Sequence, residues 1–461
     1  MFNFKNTYNK NPNHFFSPVV ADHIESPELI LFNYELALEL TGIDFHKYTD
    51  QELASYFSGA DKTIESIALA YSGHQFGHLN PSLGDGRAML MGEVVTPKNN
   101  RYDIQLKGSG PTPYSRNGDG KSALGPVIRE YIVSEAMYFL GAPTTRALCA
   151  VNTNEKVFRQ TPEPGGIFTR VASSHIRIGT FEYYAIREDF EGIKTLADYT
   201  IDRHYPESSG DYLKLIELIA NNWALMIGKW MSLGFIHGVM NTDNMAVSGE
   251  TIDFGPCAFM DTYSENKVFS SIDRNRRYAY NNQLEIGKWN LYRLASCFIQ
   301  LLEVEKIENL LQRLDNIFEQ SWLIEMAKKF GIENPKVEDK ELINSFLKIL
   351  EENKLDFTQS FTKLTYDLSC FDKYQGFSQF KAKWESRIDI EVAQAFMKKI
   401  NPYIIPRNHQ VQKAIELAYE GDFSYFKELN MAYKEPFSPK FESLMLAPQE
   451  GEVVTATFCG T

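Results

Sequence analysis

Cysteine is scarce in this chain of 461 residues. The five that occur, Cys149, Cys257, Cys297, Cys370 and Cys459, are scattered and form no CxxC pair. A disulfide scaffold and a structural zinc site are therefore not expected, and the odd, dispersed set points to a reducing compartment. No stretch approaches the roughly 18 apolar residues that a membrane span requires. Arginine is absent before Arg87, and the opening segment MFNFKNTY has no apolar secretory core. Neither a transit peptide nor a signal peptide is expected, and the cytoplasm is the expected location. Positive charge is in the minority: 47 Lys and Arg against 60 Asp and Glu leave a net charge of −13. That balance argues against non-specific nucleic-acid binding, which needs a basic footprint. A single nucleotide needs only a few local cations. Internal repeats, low-complexity blocks and long linkers are also missing. What is there, 43% hydrophobic and 23% charged residues, is ordinary globular composition. The length suits either several domains or one large enzyme unit.

The organisation along the chain is legible from periodicity. Residues 28–41 carry a helical apolar pattern ended by Gly42, and 61–72 read as a second short helix. From 84 the texture changes. Gly84-Asp85-Gly86-Arg87 precedes AMLMGEVV, a turn near 97–100 and YDIQLKGSG, which together predict two antiparallel strands. A loop rich in Gly, Pro and Ser fills 108–120, and Pro126 opens a helix that stops at Gly141. ALCAVNT, EKVFRQ, GIFTRVA and YYAIRE, between 145 and 190, read as strands. YLKLIELIANNWALMIGKWMSLGF, from 212, predicts a long helix, a loop-rich stretch follows at 236–262, and amphipathic helices run to about 435. A β-rich half thus precedes a helical half, with a ligand cleft expected at their junction.

The strongest chemical signal is spread over both halves. FIHGVMNTDN (235–244) followed by TIDFG (251–255) parallels the kinase catalytic loop and metal-binding triplet. His237, Asn244 and Asp253-Phe254-Gly255 fall on the frame, and Asn and Asp oxygens are hard ligands suited to Mg²⁺ on phosphates. Val239, however, stands where the kinase base belongs, and an Asp appears instead at Asp243. Upstream, Lys107 ends a predicted strand, and Glu130 lies on the next helix, where a kinase pairs Lys with Glu. Glu135 competes for that role, but the setting Arg129-Glu130-Tyr131 favours Glu130. Gly84-x-Gly86 lacks a third glycine and is followed by Arg87, which would add charge where a kinase uses backbone N–H groups. Each piece alone has a mundane explanation: a chance DFG, a solvated strand Lys, a solvated helix Glu. Their order on matching elements is what singles out a nucleotide site. Two look-alikes fall away. Gly118-Asp119-Gly120-Lys121-Ser122 resembles the end of a P-loop, but Ser115 stands where the first Gly is required. His74 and His78 lie four apart between glycines with no third ligand nearby, which favours a structural role.

YSGHQFGHLNPSLGDGRAML, QLKGSGPTPYSRNGDGKSALGPVIREYIVSEAM, GFIHGVMNTDNM and DFGPCAFMD together resemble the SelO (selenoprotein O, YdiU) family over nearly the whole chain. The resemblance implies an α+β, protein-kinase-like bilobal fold with a β-rich N-lobe (61–190) and a helical C-lobe (191–435). A 1–60 extension and a 436–461 tail carrying Cys459 would flank the lobes. It implies transfer of AMP from ATP, with Mg²⁺ or Mn²⁺, to Ser, Thr or Tyr hydroxyls of other proteins, the ATP being flipped relative to kinases. No nucleic-acid or membrane partner is expected. Residue by residue, it gives Gly84, Gly86, Arg87, Asp119 and Gly120 to the nucleotide and Lys107, paired with Glu130, to phosphate. Arg170 and Arg177 would take the buried phosphates, Asp243 would accept the proton, and Asn244 and Asp253 would hold the metal. A redox role for Cys459 is also implied, with Cys257 as the guessed partner. The physical logic agrees: an inward γ-phosphate needs fixed cations, and Lys107, Arg170 and Arg177 supply them. Two other readings stand beside this one: a kinase using Asp243 as its base, and an ATP-binding pseudokinase scaffold.

Overall fold

The computed structural model of the chain describes residues 1–457. The architecture is α+β. In chain order the strands of the first part are β1 (Phe16–Pro18), β2 (Glu28–Phe32), β3 (Ile67–Leu69), β4 (Gly73–Gln75), β5 (His78–Asn80), β6 (Ala88–Val95), β7 (Arg101–Lys107), β8 (Ser122–Ala123), β9 (Arg146–Phe158) and β10 (Pro162–Ala172). The main sheet runs β1-β3-β6-β7-β10-β9-β2, with β8 against β10, while β4 and β5 form a separate hairpin. Residues from the first 60 positions supply both outer strands of this order, β1 and β2.

Helices cover both faces of the sheet. On one side α1 (Tyr34–Thr41) and α2 (Asp50–Phe57) bury Leu36, Leu40 and Phe57 against Met91, Ile104, Leu106 and Val151. On the other, α3 (Leu124–Phe139) packs Val127, Ile128 and Ile132 against Ala147, Phe168 and the later Val411 and Phe426. With both faces buried, β6 is apolar almost throughout instead of alternating. Register then sets up the site. Lys107 lies opposite Phe168 and Gln105 opposite Arg170, so the two-residue side-chain period brings Lys107, Gln105 and Arg170 to one face.

The helical part begins with α4 (Ile178–Ala185), α5 (Phe190–His204) and α6 (Tyr212–Leu233). Asp211 caps α6 by accepting the Lys214 N–H, and Gly234 ends it in the left-handed conformation (φ 68°). Two α6 indoles anchor the loop that follows: Trp223 Nε1 donates to the Ala246 carbonyl at 2.9 Å, and Trp230 Nε1 to Thr251 Oγ1 at 2.8 Å. No helix among the described residues is long and apolar enough to cross a membrane.

Three sequence expectations are corrected. Residues 28–41 are not one helix: ELILF pairs with β9 as β2, and the helix begins only after Asn33, whose side chain accepts the Leu36 N–H. Residues 61–72 form no helix; Ile67–Leu69 is a buried strand between β1 and β6. YYAIRE ends α4 instead of forming a strand, because its aromatics pack into the helical core. Helix α2, opened by a Thr49–Glu52 capping box, was not anticipated.

Candidate active site

Between the sheet and the helical part lies a cavity of about 1230 Å³. Every residue singled out from the sequence for nucleotide, metal or catalysis borders it, from Gly84 on the sheet side to Asp253 on the helical side. At its inner end stands a cluster of charges. Lys107 Nζ lies 2.6 Å from Glu130 Oε2 and 2.9 Å from Asp253 Oδ1. Arg170 pairs with Glu130 Oε1 and reaches Asp253 Oδ1 at 2.6 Å. Arg177 Nη1 contacts Asp253 Oδ2 at 2.5 Å and donates to the Asp243 backbone carbonyl at 2.6 Å. Its guanidinium lies 4.9 Å over the Tyr71 ring, and Nη2 is 4.0 Å from Asp85. Burial would raise the Glu130 and Asp253 carboxyls. Arg170 and Lys107, joined by Arg177 at Asp253, outweigh it and hold both below the ordinary range.

Asp243 behaves differently. Burial pushes its carboxyl up to about 6, against a hydrogen bond from Gln75 and the Arg177 charge. Gln75 Nε2 donates to Oδ2 at 3.2 Å, while buried Oδ1 has no hydrogen-bond partner among the described residues. Asp243 is therefore ionised at neutral pH, with one oxygen available to accept a proton. Val239, in the kinase-base position, is buried and uses its carbonyl to accept Asn244 Nδ2 at 3.0 Å. His237 is structural: it stacks on Trp230 at 5.3 Å, with Nε2 2.9 Å from the Ile252 carbonyl.

The Gly84–Arg87 turn and the 108–121 loop wall the outer cavity. Gly84 has φ 64°, and a Cβ there would overlap the Tyr114 ring. Gly120 has φ 65°, and a Cβ would strike the Gly110 carbonyl. Asp119 is held by Arg159 Nη1 at 2.9 Å and accepts the Lys121 N–H at 3.0 Å. Ser122 opens strand β8, not a helix, so the Gly118–Ser122 segment lacks P-loop geometry. Glu135 is occupied elsewhere, by Arg146 Nε at 2.8 Å and the Ala147 N–H at 2.9 Å. His74 Nδ1 lies 2.6 Å from Glu182, in keeping with a structural role.

Asn244 turns its amide nitrogen to Val239, its side-chain oxygen has no hydrogen bond among the described residues, and Asp253 borders the same cavity. No group of three or more His, Cys, Asp or Glu side chains suited to a metal occurs among the described residues. This donor set fits a hard divalent cation shared with substrate phosphates, not one caged by protein alone. Cys257 is buried, with Sγ 3.4 Å from the Phe254 carbonyl; its guessed partner Cys459 lies outside the described residues. Sequence reasoning missed Gln75, Tyr71, Asp85 and Gly73, where a Cβ would overlap the Asp243 carboxylate. All four fall inside the YSGHQFGHLNPSLGDGRAML motif.

Buried cations ringing one carboxylate, beside a second buried carboxylate with an oxygen lacking a hydrogen bond among the described residues, are chemically suited to a polyphosphate ligand. Comparison with known proteins identifies the family. The family described as Protein adenylyltransferase SelO matches residues 1–434. The chain is 48% identical over 488 aligned positions to protein nucleotidyltransferase YdiU of Agrobacterium fabrum, with all of both chains covered. It is 45% identical to proteins of the same name from Bacillus cytotoxicus (100% of this chain, 98% of the relative) and Roseobacter denitrificans (99% of each). The chain belongs to the SelO family, an enzyme family of protein nucleotidyltransferases.

Proposed function

We propose that this protein transfers AMP from ATP to Ser, Thr or Tyr hydroxyls of other proteins. The scaffold is kinase-like: residues 61–190 and 191–435 form its lobes, flanked by the 1–60 and 436–461 extensions. The observation that carries the reading is the convergence of Lys107, Arg170 and Arg177 at the inner end of the cavity. Fixed cations at that depth favour a triphosphate with its γ end inward, the reverse of a kinase. The α-phosphorus then faces the cavity mouth, where an acceptor can approach.

In this reading Gly84, Gly86, Arg87, Asp119 and Gly120 embrace the nucleotide, and Glu130 keeps Lys107 directed at phosphate. Asn244 and Asp253 hold Mg²⁺ or Mn²⁺, which when bound neutralises phosphate charge. Asp243 Oδ1 accepts the proton of the acceptor hydroxyl. The freed oxygen forms a bond to the α-phosphorus, the bond to the β-phosphate oxygen breaks, and diphosphate leaves. A general base contributes about 10²–10⁴-fold, and positioning with charge neutralisation supplies the rest.

The test is label position. With ATP labelled at the α-phosphate, label is expected on acceptor protein; with label at the γ-phosphate, none is. The opposite pattern would establish a kinase using Asp243, and ATP binding with neither transfer would establish a scaffold.

A further inference from the structure

Around the cavity mouth the charge balance is the reverse of the molecule's. Two carboxylates border the outer cavity, and both are engaged: Asp119 by Arg159, and Glu163 by the Tyr419 hydroxyl at 2.5 Å. Arg116, on one lip, and Arg274, Arg276 and Arg277, which follow the mouth residue Ile272 in the chain, form no ion pair among the described residues. Arg116, Arg274 and Arg276 are exposed, in a chain whose net charge is −13. Ile272, 61% exposed, borders the same mouth.

This loop is fixed relative to the transfer site. The Asp273 carboxylate accepts the N–H groups of Arg277 (2.9 Å) and Tyr278 (2.8 Å). Tyr278 donates its hydroxyl to Asn241 at 2.6 Å, two residues from Asp243, and its ring meets Phe76 edge-on at 5.2 Å. Arg276 is held left-handed at φ 55°, with its carbonyl bonded by Asn282 at 3.0 Å. Arg277 lies 4.4 Å over Trp289, and two of its nitrogens lack a hydrogen-bond partner among the described residues.

We propose that this rim is the docking surface for the acceptor protein, and that it selects an acidic segment: carboxylates flanking the modified hydroxyl, with an apolar side chain against Ile272. The inference rests on the AMP-transfer reading and deepens it. Guanidinium forks pair with carboxylates two bonds at a time. A long nucleic acid would meet repulsion from the surrounding acidic surface, whereas a short acidic stretch meets only the basic lip.

The test uses short fluorescent peptides with one Ser, Thr or Tyr, flanked by Glu or by Gln. Binding to the whole chain is measured by anisotropy, with a non-hydrolysable ATP analogue and Mg²⁺ present. Glu-flanked peptides are expected to bind about tenfold more tightly than Gln-flanked ones, with a steep salt dependence. The pair Arg274→Glu and Arg276→Glu is expected to erase that preference while leaving the melting temperature and ATP binding unchanged. If reversal disturbs folding, Arg274→Gln with Arg276→Gln serves instead. Equal binding of the two peptide classes, a preference surviving in the variant, or tighter binding of a single-stranded RNA of equal charge would overturn the proposal. Transfer from α-labelled ATP separates the two readings. Label without preference for Glu removes the docking surface and keeps the activity; preference in binding without label on any peptide does the reverse.

Discussion

Asp253 is a non-glycine residue in the left-handed region, φ 65°, with three cations around its carboxylate. Such a conformation costs on the order of 1–3 kcal/mol and persists only where its surroundings over-determine it. Its carboxylate is the internal counter-ion of the cation cluster, so Asp253→Ala removes the partner that Lys107, Arg170 and Arg177 share. Breaking a buried pair on one side costs about 3–5 kcal/mol. The variant is expected to unfold at clearly lower urea, and inorganic triphosphate is expected to restore part of the loss by supplying the missing anion. A variant as stable as the parent would show that the cations need no such partner. Gly73 acts through shape alone. A Cβ there would overlap Asp243 Oδ1, so Gly73→Ala is expected to turn the base and lower transfer by about 10²–10⁴-fold. Calorimetric titration should show ATP affinity little changed; an active Gly73→Ala enzyme would remove Asp243 from the base role.

At the scale of elements, the site is the product of three supports that converge from different parts of the chain. Strands β7 and β10 present Lys107 and Arg170, α3 presents Glu130, and α6 holds the 241–253 loop through two indoles. Trp230→Phe removes the donor to Thr251 Oγ1 inside the core. It is expected to cost about 1–3 kcal/mol, read from urea denaturation, with a fall in kcat as the neighbouring Asp253 loses its fixed support. Some of this was legible in the chain. Lys107 and Glu130 were found because strand and helix follow each other in order, and α6 because its apolar period is long and its Gly stop clear. The β2–α1 boundary was missed because ELILF is apolar in any period and the Asn33 cap is a single residue. Gln75 was missed for another reason. It reaches Asp243 across 168 residues, and no local pattern encodes such a contact.

The molecule as a whole carries a liability toward acid. Burial pushes the His204 imidazole down to about 3 from its ordinary 6.5, and lowers His175 and His237 as well. A histidine lowered on folding binds its proton more readily in the unfolded chain. Its stabilising effect is therefore complete above about pH 6.5 and is lost as pH falls toward the folded value. Asp243, raised to about 6, opposes this through part of the same range, as do the raised carboxyls of Asp85, Glu250 and Asp261, while a lowered His409 adds to it. The thermal midpoint is expected to drop steadily between about pH 7 and pH 5, and His204→Gln is expected to flatten the slope. A midpoint independent of pH there would show that these histidines are not held neutral. The order of the main sheet also has a consequence in time. Strand β2 pairs only with β9, Leu29 against Val151. At a translation rate of about 5–20 residues per second, roughly ten seconds separate the two on the ribosome. Throughout that interval the ELILF segment has no strand partner, although Phe45 and Phe57 can already pack on Phe32. The backbone edge of β2 therefore stays open until β9 emerges, and this non-local pairing is complete long before the first residue of the 241–253 loop exists.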